Sequence, residues 1–437
     1  MIRKIIFLFG LIFFCETAFS QGFDQHKLDS YFESLATNNK FMGSVAVAEN
    51  GKIIYTKQIG FADVDNKIKP NENTKYRIGS ISKTFTTGLV FKAIEEMKLQ
   101  LTDNIGTYFK TIPNAANITI SDLLYHRSGI HNFTNAEDYL QWNTEKKSET
   151  ELVELIAKGG SDFEPDTKAE YSNSNFVLLS FILQKIYRKS YADLLKDRIT
   201  KPLGLKNTYY GKKTNLAENE SYSYTWKSNW VKENETDMSI PMGAGAIIST
   251  PSDLTIFADA LFSGKLISTK NVELMKTLKD NYGMGLFQVP FNNKKGYGHN
   301  GGIDGFTSTM YHFEDKNISL AFISNGTNFD NNKISIVLLS AVYNIPYTIP
   351  SFLEASSEGL DKYLGVYASE QIPLKITITK NDKTLTAQAT GQSSFSLEAI
   401  EKDKFKFDQA GVVLEFNPTD KTMLLKQGGG TYNFKRE

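Results

Sequence analysis

The chain has 437 residues, enough for two or three domains with sizeable hydrophobic cores. Hydrophobic residues make up 41% and charged residues 22%, which is typical of a globular protein and excludes a largely disordered chain. Basic and acidic residues are balanced at 49 each, so the chain lacks the excess positive charge that favours nucleic acid, and we expect no nucleic-acid partner. Five histidines and one cysteine are too few for zinc fingers, zinc ribbons or a disulfide framework. We expect no metal and no cofactor.

The first twenty residues have the pattern of a signal peptide. Arg3 and Lys4 give a positively charged start, and the apolar run over residues 5–14 is too short to span a bilayer. Ala18 and Ser20, on either side of Phe19, are small residues at the two positions that a signal peptidase recognises. We expect cleavage before Gln21 and a periplasmic or secreted protein.

Lipid anchoring through Cys15 is the alternative for the N-terminus. A lipoprotein signal requires a small residue before the anchored cysteine, and Phe14 is not small, so cleavage and export are favoured. No later stretch reaches the roughly 20 apolar residues that a membrane-spanning helix needs, so we expect no transmembrane segment.

The next elements are a β-hairpin and a helix. Two strand patterns within residues 44–62 flank Asn50-Gly51, the dipeptide most typical of a type I′ turn, which predicts the hairpin. From about residue 82 the apolar residues recur at helical spacing, which predicts a helix with one apolar stripe. The stripe comprises Phe85, Leu89, Ala93, Ile94 and Met97.

Helix signals continue through the middle of the chain before strand patterns return. Thr119 and Thr250 are each followed three residues later by an aspartate, which predicts a capping box at both positions. Residues 174–187 are rich in apolar side chains and predict a buried helix. Residues 307–313 and 318–324 predict a second hairpin.

Strands from both ends of a helical middle predict an α/β (α+β) fold, with an antiparallel sheet flanked by helices, over residues 21–345. Pro346 and Pro350 begin a predicted linker over residues 346–359. Residues 360–437 alternate over several short stretches, which predicts a separate antiparallel, β-barrel-like accessory domain.

Ser80 and Lys83 form the first pattern with chemical meaning. They lie where the strand pattern gives way to the helix, and residues three apart in a helix share a face. Serine is a weak nucleophile until a base removes its proton, and lysine can be that base if its pKa falls from about 10.4 towards neutrality. A chance occurrence is the alternative, although the chain contains this Ser-x-x-Lys pattern only once.

Tyr171 and Asn173 are the second candidate pair, in the only Tyr-x-Asn of the chain. A nearby ammonium can lower the pKa of a buried tyrosine from about 10 and make it a proton shuttle. An asparagine can hydrogen-bond both the lysine and a substrate carbonyl. The alternative is a loop tyrosine followed by an asparagine that caps the helix over residues 174–187.

His299 begins the third candidate segment, which continues through Gly302. Adjacent glycines on an edge strand let a substrate approach the backbone closely and leave a free N–H group for an oxyanion. The alternative is a glycine-rich turn with a surface histidine.

Together and in this order, the three segments resemble the active-serine hydrolases related to class C β-lactamases, penicillin-binding DD-peptidases, D-aminopeptidases and their esterase relatives. The resemblance covers about residues 25–345. The segments that carry it are residues 76–85, 119–130, 170–179, 243–254 and 298–306. Residues 360–437 resemble, more loosely, the small β domain often appended to such proteins.

This resemblance implies a β-lactamase/transpeptidase-like fold with an all-helical subdomain and an acyl transfer to an active serine. The implied site consists of the catalytic Ser80, Lys83 and Tyr171, the positioning residues Asn173 and His299, and the backbone N–H groups of Ser80 and Gly302 as an oxyanion hole. Asp122, His126 and Ser128 belong to a family segment and are interpreted as structural, with a catalytic His126 as the less favoured alternative.

His299 departs from class C β-lactamases and DD-peptidases, which usually place a lysine there. A lysine is a permanent cation suited to the carboxylate of a penicillin or of a terminal D-alanine, whereas a histidine with its ordinary pKa near 6.5 is mostly neutral at pH 7. The resemblance therefore implies an esterase or D-aminopeptidase that acts on a small ester, amide or peptide. The alternatives are a DD-carboxypeptidase or weak β-lactamase, and a non-catalytic binding or sensor protein that retains the fold.

Substrate recognition is predicted to lie in two loops, over residues 131–150 and 208–240. Both loops are rich in aromatic side chains, which either contact substrate or support a hairpin. These residues are Tyr139, Trp142, Tyr222, Tyr224, Trp226 and Trp230.

Overall fold

The computed structural model describes residues 23–352, 359–381, 384–392, 394–407 and 410–437. The predicted signal peptide and residues 353–358 of the predicted linker lie outside the described residues. Within the described part of the chain, no helix is both long enough and apolar enough to cross a membrane.

Residues 23–352 contain alternating strands and helices. The strands are β1 (Phe41–Glu49), β2 (Lys52–Ile59), β3 (Tyr76–Arg77), β4 (Tyr209–Tyr210), β5 (Tyr224–Trp226), β6 (Trp230–Lys232), β7 (Ile247–Ser249), β8 (Tyr282–Gly283), β9 (Leu286–Phe291), β10 (Lys294–Ile303), β11 (Phe306–Phe313) and β12 (Ile318–Thr327). The helices are α1 (Gln25–Thr37), α2 (Ser82–Glu95), α3 (Ile120–Leu124), α4 (Tyr139–Trp142), α5 (Glu149–Gly159), α6 (Asn173–Tyr187), α7 (Tyr191–Leu195), α8 (Lys201–Leu203), α9 (Met242–Gly245), α10 (Pro251–Phe262), α11 (Thr269–Lys276) and α12 (Asn331–Val342).

A seven-stranded antiparallel sheet lies at the centre of this region, in the order β2-β1-β12-β11-β10-β9-β8. Both predicted hairpins are confirmed, as β1–β2 and β11–β12. Because β1 pairs with β12, the sheet joins the start of this region to its end and leaves the helical middle between them.

Helices cover both faces of the sheet. Leu28 of α1 and Leu338 of α12 share one apolar cluster with Val45 of β1. Phe257 of α10 and Phe85 of α2 belong to the cluster on the other side, and their rings stack with centroids 3.6 Å apart. Strand β1 is consequently buried at every position except its last, as expected for a strand covered on both faces.

Helix α2 begins at Ser82, close to the predicted start, but its buried surface is wider than one stripe. Residues 82–91 are all buried because sheet, helices and loops surround the helix. The prediction that Met97 continues the apolar stripe of this helix is wrong, since Met97 lies beyond the helix and is 92% exposed. The helix ends at Glu95, and Met97 follows in a turn with a left-handed φ of +57°.

The predicted helix starts are borne out, and one of the two predicted capping boxes is incomplete. The capping box at Thr119 is confirmed, since Thr119 and Asp122 bond each other's backbone N–H groups. The prediction of a full box at Thr250 is wrong. Thr250 caps α10, but the carboxylate of Asp253 accepts instead from the backbone N–H of Asn207 and from the hydroxyl of Thr208.

The C-terminal part of the chain is an antiparallel β structure with its own core. Its strands are β13 (Gly365–Ala368), β14 (Lys375–Asn381), β15 (Thr384–Ala389), β16 (Phe395–Ser396), β17 (Glu398–Glu401), β18 (Lys404–Phe407), β19 (Val412–Asn417), β20 (Thr422–Gln427) and β21 (Gly430–Arg436). They form one sheet in the order β16-β15-β14-β13-β21-β20-β19-β18-β17. The predicted fold class, an antiparallel sheet with helices followed by a C-terminal antiparallel β domain, is therefore confirmed.

Candidate active site

Ser80 lies on a short 3₁₀ turn, Gly79–Ile81, that leads directly into α2. Gly79 has a φ of +50°, a left-handed conformation that favours glycine and turns the chain sharply from β3 towards the helix. The Ser80 side chain is half-buried and lines a cleft of about 580 Å³. The sequence thus holds this hydroxyl at a helix start with open space in front of it.

Lys83 lies one turn further along α2 and is fully buried. Its Nζ is 2.9 Å from Ser80 Oγ, 2.8 Å from Asn173 Oδ1 and 2.9 Å from the Ala244 carbonyl oxygen. Burial lowers the pKa of Lys83 well below its ordinary value, because the ammonium loses its hydration. The amide and carbonyl oxygens only accept hydrogen bonds, so a neutral amine donates its two protons to them and turns its lone pair towards Ser80.

Tyr171 is the second partner of Ser80. Its hydroxyl donates to Ser80 Oγ at 2.8 Å, and its ring packs against His126 with centroids 4.4 Å apart. The prediction that a nearby ammonium lowers the pKa of Tyr171 is wrong. Burial raises this pKa above its ordinary value, and the bond to Ser80 opposes the effect only in part. Tyr171 is therefore a neutral phenol at pH 7 and a hydrogen-bond donor to Ser80.

Asn173 is the first residue of α6 and bridges Lys83 to a neighbouring loop. Its Oδ1 accepts from Lys83, and its Nδ2 donates to Thr134 Oγ1 at 3.0 Å. Its backbone N–H donates to Asn132 Oδ1, also at 3.0 Å. These bonds fix the orientation of the amide, so Asn173 presents an oxygen to the lysine.

Three residues that were interpreted as structural hold the segments around the site: Asp122, His126 and Ser128. Asp122 completes the cap of α3, and Ser128 Oγ donates to Asn175 Oδ1 at 2.7 Å. His126 is buried, accepts from the Ser172 backbone N–H at 3.2 Å and stacks on Tyr171. Burial first, and then the charge of Lys83, lower the pKa of His126 well below its ordinary value, so its ring is neutral at pH 7.

Gly302 brings the edge of β10 against the Ser80 turn. A Cβ added to Gly79 would lie 2.7 Å from the Gly302 backbone nitrogen, so the two backbones are in close contact. Ile303 pairs with Phe306 across a two-residue turn. Since hydrogen-bonded and non-bonded pairs alternate in an antiparallel ladder, the Gly302 N–H points away from β11.

His299 lies on β10 and is buried, with 3% of its surface exposed, so the alternative of a surface histidine is wrong. Its ring centroid is 4.6 Å from that of Phe287 and 6.4 Å from that of Tyr171, and its Nδ1 donates to the Asn300 carbonyl oxygen at 2.5 Å. Burial, reinforced by the charge of Lys83, lowers the pKa of His299 to about 3. The ring is therefore neutral at pH 7, as predicted.

The two predicted recognition loops contribute differently to the cleft. Tyr139 lines it, and Trp142 packs beside Tyr139 with ring centroids 5.1 Å apart. Trp226 and Trp230 contact each other across the β5–β6 hairpin at 4.9 Å, which favours their alternative role as hairpin supports.

A family model described as Beta-lactamase matches residues 28–342. The chain belongs to this family. A teichoic acid D-alanine hydrolase of Staphylococcus aureus is 31% identical over 313 residues, which cover 69% of this chain and 74% of that protein. The crystal structure of a D-amino acid amidase from Ochrobactrum anthropi SV3 has 27% identity and a TM-score of 0.64, over 73% of this chain and 99% of that one. An octameric penicillin-binding protein homologue from Pyrococcus abyssi, 22% identical with a TM-score of 0.67, covers 94% of this chain and 99% of its own and shares the fold.

These findings confirm the predicted enzyme class, a serine hydrolase of the β-lactamase-related family. A buried ion-pair cluster beside the cleft was not predicted from the sequence. Arg77 pairs with Glu235 at 2.7 Å and with Asp304 at 2.9 Å. Arg77 and Asp304 lie within two of the segments that carried the resemblance, so a signal for them was present. Asn132 and Thr134 lie in the predicted recognition loop over residues 131–150, but their bonds to Asn173 could not be predicted, because a loop position can be paired with Asn173 only once the fold is known.

Proposed function

We propose that this chain is an exported active-serine hydrolase that cleaves a small ester, amide or peptide through an acyl-enzyme, as an esterase or D-aminopeptidase does. The observation that carries the proposal is the position of Ser80 Oγ, 2.9 Å from Lys83 Nζ and 2.8 Å from the Tyr171 hydroxyl. The names of two relatives, a teichoic acid D-alanine hydrolase and a D-amino acid amidase, support this class of substrate.

Acylation uses Lys83 as the base. The neutral amine takes the Ser80 proton while Oγ attacks the substrate carbonyl carbon, and the carbonyl oxygen becomes an oxyanion. The oxyanion accepts hydrogen bonds from the backbone N–H groups of Ser80 and Gly302. When the intermediate collapses, Tyr171 protonates the leaving oxygen or nitrogen and regains its proton from the Lys83 ammonium.

Deacylation uses the same proton-transferring groups in the opposite direction. A water molecule gives a proton to the Tyr171–Lys83 pair and attacks the acyl carbon, and Ser80 leaves with a proton from the same pair. Asn173 keeps the amine aligned throughout, since its oxygen accepts from Lys83 at 2.8 Å.

The charge of the cleft favours an esterase or D-aminopeptidase over a penicillin-binding enzyme. The charged residues that line the cleft among the described residues are Glu233 and Asp304, both acidic. His299, which stands where β-lactamases usually have a lysine, is neutral. A substrate with a carboxylate would meet no cation on these walls.

Export rests on the N-terminal sequence. Arg3 and Lys4, followed by the apolar run over residues 5–14, have the composition of a signal peptide. Expression of the full chain followed by N-terminal sequencing of the exported protein tests this part, with Gln21 as the expected first residue.

The catalytic proposal is tested by Ser80→Ala in an assay with p-nitrophenyl acetate. Turnover should fall to a few per cent of wild type or less, while the thermal midpoint stays nearly unchanged. Ser172→Ala is the matched control, because the Ser172 hydroxyl is buried near the site and bonds no described residue. Retained activity in Ser80→Ala, or equal loss in both variants, would contradict the proposal.

Two labels separate the remaining alternatives. A DD-carboxypeptidase or weak β-lactamase should react with a fluorescent penicillin at Ser80, whereas the proposed hydrolase should react preferentially with a fluorophosphonate. A non-catalytic protein that keeps the fold should react with neither.

A further inference from the structure

We propose that Glu233 is a specificity-determining residue that binds a positively charged amino group of the substrate. The substrate class is then an ester or amide of an amino acid with a free amino group. The inference rests on the proposed function of Ser80 and narrows the acyl groups that this serine accepts.

Glu233 is positioned by the hairpin that precedes it. It directly follows β6, and its backbone N–H donates to the Ser223 carbonyl oxygen at 2.9 Å. Its side chain is half-buried and lines the same cleft as Ser80. Among the described residues, the Glu233 carboxylate has neither a hydrogen bond nor an ion pair. A carboxylate in this position is available to a ligand.

Asp304, the other carboxylate of the cleft, is already occupied. Its Oδ2 accepts from Arg77 at 2.9 Å, while its Oδ1 accepts from the backbone N–H of Thr236 at 3.0 Å and from the Thr236 hydroxyl at 2.7 Å. The side chain is also almost fully buried. Asp304 therefore holds the cleft wall together and leaves recognition of a cation to Glu233.

Arg77 does not neutralise Glu233. Its Nη1 donates to the Thr236 carbonyl oxygen and to Asp304, and its Nη2 donates to the Lys212 carbonyl oxygen and to Glu235. One guanidinium thus faces two carboxylates, and the cluster keeps a net charge of −1. This charge adds to that of Glu233 and makes the cleft electronegative beside the nucleophile.

An ammonium fits these charges better than a neutral group or a carboxylate does. It would pair with Glu233 through charge-assisted hydrogen bonds, while a carboxylate would be repelled by the same wall. Since the side chain is only half-buried, solvent weakens the pair, and we expect an effect at the lower end of the range for a hydrogen bond to a charged group, about tenfold. An interaction made equally in the bound substrate and in the transition state appears in KM, with kcat little changed.

The test compares two substrates that differ only by the amino group, D-alanine methyl ester and methyl propionate, in a pH-stat assay. In Glu233→Gln, the ratio of kcat/KM for the aminoacyl ester to that for the propionyl ester should fall about tenfold, mainly through KM. Glu218→Gln is the matched control, because Glu218 is an exposed acid of the same loop that does not line the cleft. It should leave the ratio at the wild-type value.

A second measurement does not need turnover. D-alaninamide should protect Ser80 from a fluorophosphonate label at about tenfold lower concentration than propionamide does, and Glu233→Gln should abolish the difference. Suppose that Glu233→Gln still hydrolyses methyl propionate but keeps the wild-type kcat/KM ratio and the wild-type difference in protection between the two amides. This result would overturn the inference and leave the proposed function standing. Absence of both labelling and hydrolysis in the wild type would overturn the proposed function and the inference together.

Discussion

Replacement of Tyr171 by phenylalanine isolates the contribution of one hydroxyl to the reaction. The substitution removes the group that donates to Ser80 Oγ at 2.8 Å, while the ring keeps its packing against His126 at 4.4 Å. Ser80 also keeps its contact with Lys83 at 2.9 Å. The nucleophile and its base thus remain in place, and the proton path to the leaving group is interrupted.

The expected size of the effect follows from these contacts. A positioned proton donor or acceptor contributes about 10²–10⁴-fold, or roughly 2.7–5.4 kcal/mol of activation free energy at 1.36 kcal/mol per decade. Loss of a single hydrogen bond should change the free energy of unfolding by only about 1 kcal/mol. The variant should therefore be folded and slow.

Rapid-quench measurement of methanol release from methyl propionate, with enzyme in excess, gives the acylation rate of Tyr171→Phe. Methoxide, unlike p-nitrophenolate, must be protonated as it leaves, so this rate depends on the proton path through Tyr171. Tyr282→Phe is a matched control, because its ring packs on the same histidine, His126, with centroids 5.3 Å apart, and its hydroxyl has no described contact with Ser80. The control should acylate at close to the wild-type rate. An acylation rate for Tyr171→Phe within tenfold of wild type would refute the role of its hydroxyl and leave Lys83 as the only proton carrier.

Three further predictions concern charge, pH and close packing. His299→Lys should slow hydrolysis of acetate esters, because it places an ammonium at a position that is only 3% exposed. The same change should improve acylation by a fluorescent penicillin, because the penicillin carboxylate gains a charge-assisted bond of about 1–3 kcal/mol. Plotted against pH, kcat/KM for p-nitrophenyl acetate should rise as Lys83 loses its proton and level off well below pH 10.5, because burial lowers the pKa of this base. Gly301→Ala should lower the free energy of unfolding by about 1–3 kcal/mol in urea, since a Cβ there would overlap the Ile78 carbonyl oxygen. Gly302→Ala should be tolerated, because the nearest atom to its Cβ lies 3.9 Å away.

Each of these predictions has a contradicting result. Changes in the same direction for the ester and the penicillin would show that His299 does not select on charge. An activity that rises only near pH 10.5 would show that Lys83 keeps its ordinary pKa in the folded protein. Equal stability of Gly301→Ala and Gly302→Ala would show that β10 does not lie against Ile78.

Most of the fold could be predicted because its signals are local. Asn50-Gly51 marks the β1–β2 turn, and the Thr119–Asp122 box marks the start of α3. Where a side chain had a stronger distant partner, local rules failed. Asp253 bonds Asn207 and Thr208 instead of closing its capping box, and nothing near it in the sequence indicates this choice.

In the candidate site, too, local patterns could be predicted and properties that depend on distant residues could not. Ser80 and Lys83 could be paired from their spacing, and the structure joins them through one hydrogen bond. The direction of the Tyr171 pKa could not be predicted, since it depends on how deeply the ring is buried. Glu233 lies in the loop over residues 208–240 that was predicted to recognise substrate, but it could not be singled out there. The charge of a cleft depends on which side chains from distant segments already neutralise each other.

The most direct test of the proposed acyl transfer to Ser80 is to trap the acyl-enzyme and find the residue that carries it. The protein is reacted with a fluorophosphonate and, separately, quenched with acid during turnover of p-nitrophenyl acetate, and each adduct is located by mass spectrometry of proteolytic peptides. We expect one phosphonyl group and one acetyl group, both on Ser80 and both absent from Ser80→Ala. An adduct on another residue, or turnover without any adduct on Ser80, would contradict it.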